Sequence, residues 1–220
     1  MKILKKKIEL IDTNIGSISK ISSGSTPRRD TEIYWNSKDI PWMTSGEVHS
    51  RFLYDTENYI SVSGWKSIGN KIFPKNTIMM ALAGQGKTKG NVCFLEKEVS
   101  SNQSLAGIVV DSKNNDPLYI YYILSNMYKE IRNIVGEGRE GINIQNIKDI
   151  KIRLPKDIES QKKVSIFLRE FEKYKKTIKE LLRKIEIRNK YYIDKLLTNE
   201  LTVQNEKTVE NNIPLNILSI

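Results

Sequence analysis

The apolar positions of this 220-residue chain change rhythm once, at Pro155. Before it, short apolar runs are separated by glycine turns. After it, one helical pattern runs without glycine or proline from Asp157 to about Thr198. In the first part, KNTIMMALA, NVCFLEKEV and LAGIVVD predict strands, and IKDIKIRLP predicts a half-buried strand because Ile150, Ile152 and Leu154 alternate with Asp149, Lys151 and Arg153. Asp116 and Pro117 suit the cap and first position of a helix whose Ile120, Ile123, Leu124, Met127, Ile131 and Ile134 recur at helical spacing. Residues 1–155 therefore predict an α/β (α+β) domain.

Residues 156–200 predict a long helix. Val164, Phe167, Phe171, Tyr174, Ile178, Leu181, Ile185, Arg188, Tyr192 and Lys195 follow alternating steps of three and four, and eight of these ten are apolar or aromatic. Such a heptad seam favours a coiled coil, with a long helix packed on its own domain as the alternative. A helix of about 40 residues is roughly 60 Å long, more than the width of a domain this size, so the seam is expected to meet another helix. Residues 201–220 read as a polar tail ending in IPLNILSI.

Charge adds a partner class. The formal charge of +10 divides into +3 over residues 1–20, +3 over 21–155, +5 over 156–200 and −1 over the rest. Nucleic acid is the first candidate partner, but the mildly basic first part would have to bind it through local clusters. No apolar run is long enough to span a membrane, and Glu9 and Asp12 interrupt the basic N-terminus too soon for a signal peptide, so a cytoplasmic location is expected. One cysteine, Cys93 in VCFL, and one histidine, His49, make a disulfide or zinc site an unsuitable reading. No carboxylate pair or nucleophile–base arrangement stands out, so no catalytic or metal-binding residue is assigned.

The segment IMMALAGQGKTKG, residues 78–90, imitates a phosphate-binding loop. A nucleotide-hydrolysing site is nevertheless the weaker reading, because Ala81 stands where the first glycine belongs and a β-like run replaces the required helix. What remains is a loop of lysines, threonine and glycines suited to close approach to a polyanion, or an ordinary solvated turn.

At ISSGSTPRRDTEIYWNSKDIPWMTSGEV the chain resembles the opening of a target recognition domain from the specificity subunits of type I restriction–modification systems. Gly24, Thr26, Pro27, Tyr34, Trp35, Asp39, Ile40, Pro41, Trp42, Thr44, Gly46 and Glu47 stand at that family's intervals. GQGKTKG, SSNQSLAGIV and INIQNIKDIKIRLPKDIESQKKVSIFL resemble its later features, and the likeness covers residues 14–197. A typical specificity subunit has two such domains and two helices, whereas this chain has one of each. The resemblance implies a chain without catalysis or cofactor that selects the double-stranded DNA sequence. S-adenosylmethionine, ATP and Mg would then belong to partner methyltransferase and restriction subunits. It also implies two copies paired antiparallel through Val164, Phe167, Phe171, Tyr174, Ile178, Leu181, Ile185 and Tyr192, each copy reading half of a bipartite target. A coiled-coil adaptor without DNA binding remains the alternative.

Sequence reading requires exposed donors on loops. Candidates are Ser25, Thr26, Arg28 and Arg29 in one turn, although Thr26 also suits shaping it. Ser45, Glu47, His49 and Arg51 follow PWMT. Gln85, Lys87, Thr88 and Lys89 form the glycine loop, and Arg139 lies between glycines in GEGREG. Asn102 and Gln103 could each pair with adenine, or, inside a strand, satisfy backbone groups. Trp35, Trp42 and Trp65 are expected in the core.

Overall fold

The structure is a computed structural model describing residues 8–84, 88–134 and 141–197. In chain order its elements are β1 (Leu10–Asn14), α1 (Ile15–Ile18), β2 (Ser19–Ser23), β3 (Ile40–Met43), β4 (Phe52–Leu53), β5 (Asn58–Ile60) and α2 (Val62–Ser67). There follow β6 (Ile78–Ala81), β7 (Val92–Leu95), β8 (Ser100–Ser101), β9 (Leu105–Val110), α3 (Pro117–Asn126), α4 (Tyr128–Asn133), α5 (Ile144–Lys148), β10 (Lys151–Pro155) and α6 (Ile158–Leu197). Two 3-10 turns, Glu32–Tyr34 and Ser45–Ser50, flank β3. This is the mixed α/β domain followed by a long helix that the apolar pattern predicts.

A five-stranded sheet of order β2-β9-β6-β7-β4 organises the domain. Its neighbours are antiparallel except β4 and β7, which run parallel. Ile78, Met80, Val92 and Phe94 face a core filled by Ile120, Tyr121, Leu124, Ile131 and Ile147 from α3, α4 and α5. Met79, Ala81, Cys93 and Leu95 face a second core with Met43, Val48, Phe73 and Val99. Because both faces of β6 and β7 are covered, these strands read as unbroken apolar runs. Burial pushes the Cys93 thiol up to about 12, so it is an inert packing group.

A smaller sheet of order β5-β3-β8 and an antiparallel β1-β10 ribbon complete the architecture. In β10, Ile152 and Leu154 are buried while Lys151 and Arg153 are exposed, as the alternation predicts. The helix beginning at Pro117 is capped by Asp116, whose carboxylate accepts from the Tyr119 N–H at 3.3 Å. It divides into α3 and α4 because Met127 swings to ψ 16°, outside the helical range. Trp42 is fully buried, but Trp35 and Trp65 are half-buried, contrary to expectation. Their indole N–H groups reach the carbonyls of Arg28 at 3.0 Å and Lys71 at 3.2 Å, near the surface.

The chain separates into two compact units between Phe167 and Leu168. Thus the first turns of α6 belong with the α/β unit. Gln161, fully buried, accepts from the Asp116 N–H at 2.9 Å and donates to the Pro155 carbonyl at 2.7 Å. One turn later the Ser165 hydroxyl donates to the Asp116 carboxylate. The second unit, as far as it is described, is the remainder of the 40-residue α6, in which no residue is buried.

Candidate nucleic-acid interface

Strand register brings the predicted turns to one end of the sheets. Ser23 at the end of β2 lies opposite Ala106, Ala81 at the end of β6 opposite Leu105, and Val92 at the start of β7 opposite Met80. β4 starts at that same end because it is parallel to β7, and β3 and β8 finish together at Met43 and Ser101. The segments following β2, β3, β6 and β8 therefore leave from a common edge. Backbone bonds join them: Gly24 N–H to the Leu105 carbonyl at 2.9 Å, Ser25 N–H to Ser101 at 2.8 Å, Leu82 N–H to Ser104 at 2.9 Å, and Asn102 N–H to Met43 at 3.1 Å.

The arm over residues 24–29 is the most tightly built of these turns. A Cβ at Gly24 would overlap the Ser101 side chain and backbone, so glycine permits the close approach that seats the arm. Trp42 Nε1 donates to the Ser25 carbonyl at 3.1 Å, and the Thr26 hydroxyl donates to Gln103 Oε1. Arg28 forks onto the Asp30 carboxylate through Nε at 3.3 Å and Nη2 at 2.9 Å, which holds that carboxyl below its ordinary value. The guanidinium carbon of Arg29 stands 4.5 Å from the centroid of Trp35 and 5.1 Å from that of Trp42. A cation–π contact at an exposed site is worth about 0.5–1 kcal/mol, enough to bias the side chain toward one orientation.

Asn102 and Gln103 lie in the turn between β8 and β9 rather than inside a strand. Asn102 serves the backbone, its Oδ1 accepting from the Ser104 N–H at 3.2 Å, while Gln103 is exposed beside Thr26. The order Ser-Asn-Gln-Ser favours this because an asparagine side chain can close a turn two residues on.

In the 3-10 turn after β3, Ser45 is half-buried and His49 is exposed. Glu47 holds the turn from beneath: its carboxylate accepts from the Thr44 N–H at 2.7 Å, the Thr44 hydroxyl at 2.9 Å and the Glu57 N–H at 2.9 Å. Glu47 therefore departs from the exposed reader expected of it: it is buried and caps the turn, a role that the Thr44-x-x-Glu47 spacing of a helix start also signals. Arg51 ends the turn at φ +59°, and its carbonyl accepts from the Phe94 N–H at 2.7 Å. His49 reaches across to the glycine hairpin, with Nε2 3.2 Å from the Thr88 hydroxyl and Nδ1 3.1 Å from Asn91 Nδ2.

Gln85, Lys87 and Arg139 lie outside the described residues. The Ile142 N–H donates to the Leu82 carbonyl at 2.8 Å, so the chain re-enters beside the hairpin after residue 140. Gly84, at φ +139°, packs so closely on Thr88 that a Cβ would come within 2.8 Å of its Cβ. Lys89 departs from the exposed donor expected of it: it is 8% exposed. The hairpin closes through the Gly90 N–H to the Ala81 carbonyl at 2.9 Å and the Asn91 N–H to Thr88 at 3.0 Å, and this folds Lys89 against the domain.

The hairpin leads into strand β7, so the helix that a phosphate-binding loop requires is replaced by a strand. Among the described residues, no group of three or more His, Cys, Asp or Glu is placed to hold a metal ion, and no helix is long and apolar enough to cross a membrane.

Residues 9–189 match the type I restriction modification DNA specificity domain. The chain belongs to this family. As a specificity domain it is not an enzyme. It is 25% identical over 182 residues to the EcoR124I/EcoR124II specificity subunit of Escherichia coli, a span covering 81% of this chain and 45% of that relative. The specificity-domain fold is shared with a structure from a study of complex assembly and conformational transition of the type I R-M system, at TM-score 0.67 and 14% identity, over 88% of this chain and 47% of the other. The S subunit from M. genitalium matches at TM-score 0.58 and 17% identity, over 90% of this chain and 48% of its own. The HsdS subunit from Thermoanaerobacter tengcongensis matches at 0.56 and 14%, over 75% and 38%. The specificity domain described here thus spans about half the length, or less, of these relatives.

Proposed function

We propose that this chain is the DNA-reading component of a type I restriction–modification system and reads one half of a bipartite duplex target. The observation that carries this is the departure of four segments from one edge of the sheets, where Thr26, Arg28, Arg29, His49, Thr88 and Gln103 are gathered by backbone and side-chain bonds. A rigid frame presenting polar side chains on turns is what groove reading requires, with phosphate contacts fixing register and base contacts selecting sequence. Family membership supports the same reading.

The helix supplies the second half of the proposal. Phe171, Tyr174, Ile178 and Leu181 are exposed, and Phe167 before them is 68% exposed, a seam whose apolar surface would gain about 25 cal/mol per Å² on burial. Two copies pair antiparallel along this seam, place one domain at each end, and read two half-sites related by a twofold axis. Methyltransferase and restriction subunits of the cytoplasm dock on this scaffold and carry S-adenosylmethionine, ATP and Mg, while this chain holds no cofactor.

Co-expression with the modification subunit of its system, followed by methylation mapping, tests the proposal. Methylated adenines in an interrupted, twofold-related sequence are expected. Absence of methylation, together with no mobility shift of duplex DNA by the assembled complex, would instead favour a coiled-coil adaptor.

A further inference from the structure

Of the two adjacent arginines on the 24–29 arm, one is committed and one is presented. Arg28 spends its planar fork on Asp30, with Nε and Nη2 both engaged. Arg29 makes no hydrogen bond or ion pair among the described residues, and its guanidinium lies over Trp35 and Trp42. Stacking occupies a face of the guanidinium and leaves the N–H groups in its plane available.

The tryptophans also fix the backbone that carries it. Trp35 Nε1 donates to the carbonyl of Arg28 at 3.0 Å, immediately before Arg29, and Trp42 Nε1 to that of Ser25 at 3.1 Å. The two rings meet edge to face with centroids 5.1 Å apart, and Trp42 is fully buried. One indole pair therefore anchors both the main chain and the side chain of a single exposed cation.

From this geometry we infer that Arg29 is a specificity-determining residue of the arm, reading a guanine edge in the major groove, with Trp35 as its positioning residue. The inference rests on the DNA-reading function proposed above. Guanine presents O6 and N7 as paired acceptors, which match the two parallel N–H groups of a guanidinium held in place beforehand. Arg28 contributes charge to the phosphates and carries no sequence choice.

Selection from a randomised duplex pool by the full chain assembled with its modification subunit separates these roles. The unaltered complex is expected to select guanine at one position that Arg29→Lys relaxes by about 5- to 150-fold, because lysine keeps the charge and loses the planar fork. Trp35→Phe should relax that same position and no other, whereas a general packing role would lower affinity across the pool. Arg28→Ala should weaken binding to all sequences alike. If Arg29→Lys keeps every preference, or if Arg28→Ala is the change that alters one, the inference is overturned. Should the unaltered complex select no sequence, the DNA-reading proposal falls first and this inference with it.

Discussion

His49 and Thr88, 39 residues apart in the chain, are joined by a 3.2 Å contact between imidazole Nε2 and the hydroxyl Oγ1. Asn91 Nδ2 completes the link at 3.1 Å from Nδ1, so one imidazole ties the 3-10 turn to the hairpin. Replacing His49 by alanine removes bonds worth about 0.5–1.5 kcal/mol each from an exposed tether. The melting temperature should fall by only a few degrees, while DNA affinity measured by fluorescence anisotropy falls severalfold. Equal affinity would show that hairpin order does not matter for binding.

The burial of Lys89 divides the two lysines of the hairpin. Lys87→Ala is expected to reduce the log–log salt slope of DNA binding by about 0.9, the value for one lost phosphate contact. Lys89→Ala should leave that slope alone and lower the melting temperature, since most of its side chain is packed against protein. Salt titrations from low to moderate ionic strength distinguish them.

Glu47 is 8% exposed and accepts from Thr44 and Glu57. Glu47→Ala leaves two backbone N–H groups without their acceptor, and a loss of about 1–3 kcal/mol in urea unfolding is expected. Arg28→Ala, by contrast, removes only an exposed ion pair and should change stability by less than about 1 kcal/mol.

Among the carboxylates held below their ordinary value, Asp55 is lowered to about 2 and contributes to acid stability. Hydrogen bonds from Tyr59 at 2.6 Å and Lys97 at 3.0 Å lower its carboxyl from the ordinary 3.8 to about 2. A depressed carboxyl stabilises the folded state fully above the unfolded value and loses that contribution as the pH falls through the folded one. The difference in urea midpoint between the unaltered chain and Asp55→Asn should therefore be largest near pH 6 and shrink as the pH approaches 2. A difference independent of pH would assign the effect to packing.

Replacement of both Ile178 and Leu181 by aspartate should yield monomers by light scattering without changing the near-ultraviolet circular dichroism of the α/β unit. If the unaltered chain is already monomeric at micromolar concentration and remains so with the methyltransferase bound, antiparallel pairing is wrong.

Local pattern carried much of this structure. The alternation around Ile152 and Leu154, the Asp116 cap with Pro117, and the uninterrupted helix after Asp157 are all legible because each depends on neighbours in sequence. The ends of β7 were not. Its predicted run extends to Val99, yet the strand stops at Leu95, where pairing with β6 and β4 runs out. The site divides in the same way. Which turns bear donors could be read from composition, but the inward fold of Lys89 and the pairing of Thr26 with Gln103, 77 residues away, depend on sheet register. Trp35 beside Arg29 likewise required the arm to double back.

The seating of Gly24 against Ser101 and Asn102 has an evolutionary consequence. The atoms that fix where the arm departs are backbone groups, a missing Cβ and one buried indole, none of which depends on the identity of residues 28 and 29. Arg28, Arg29, His49 and Gln103 are solvent-facing, so their exchange leaves both apolar cores intact. Under the DNA-reading function proposed above, such an arrangement would let a lineage acquire a new target word by a handful of substitutions at the turns while inheriting the frame unaltered, and it would separate mutations that change what is read from those that abolish reading altogether.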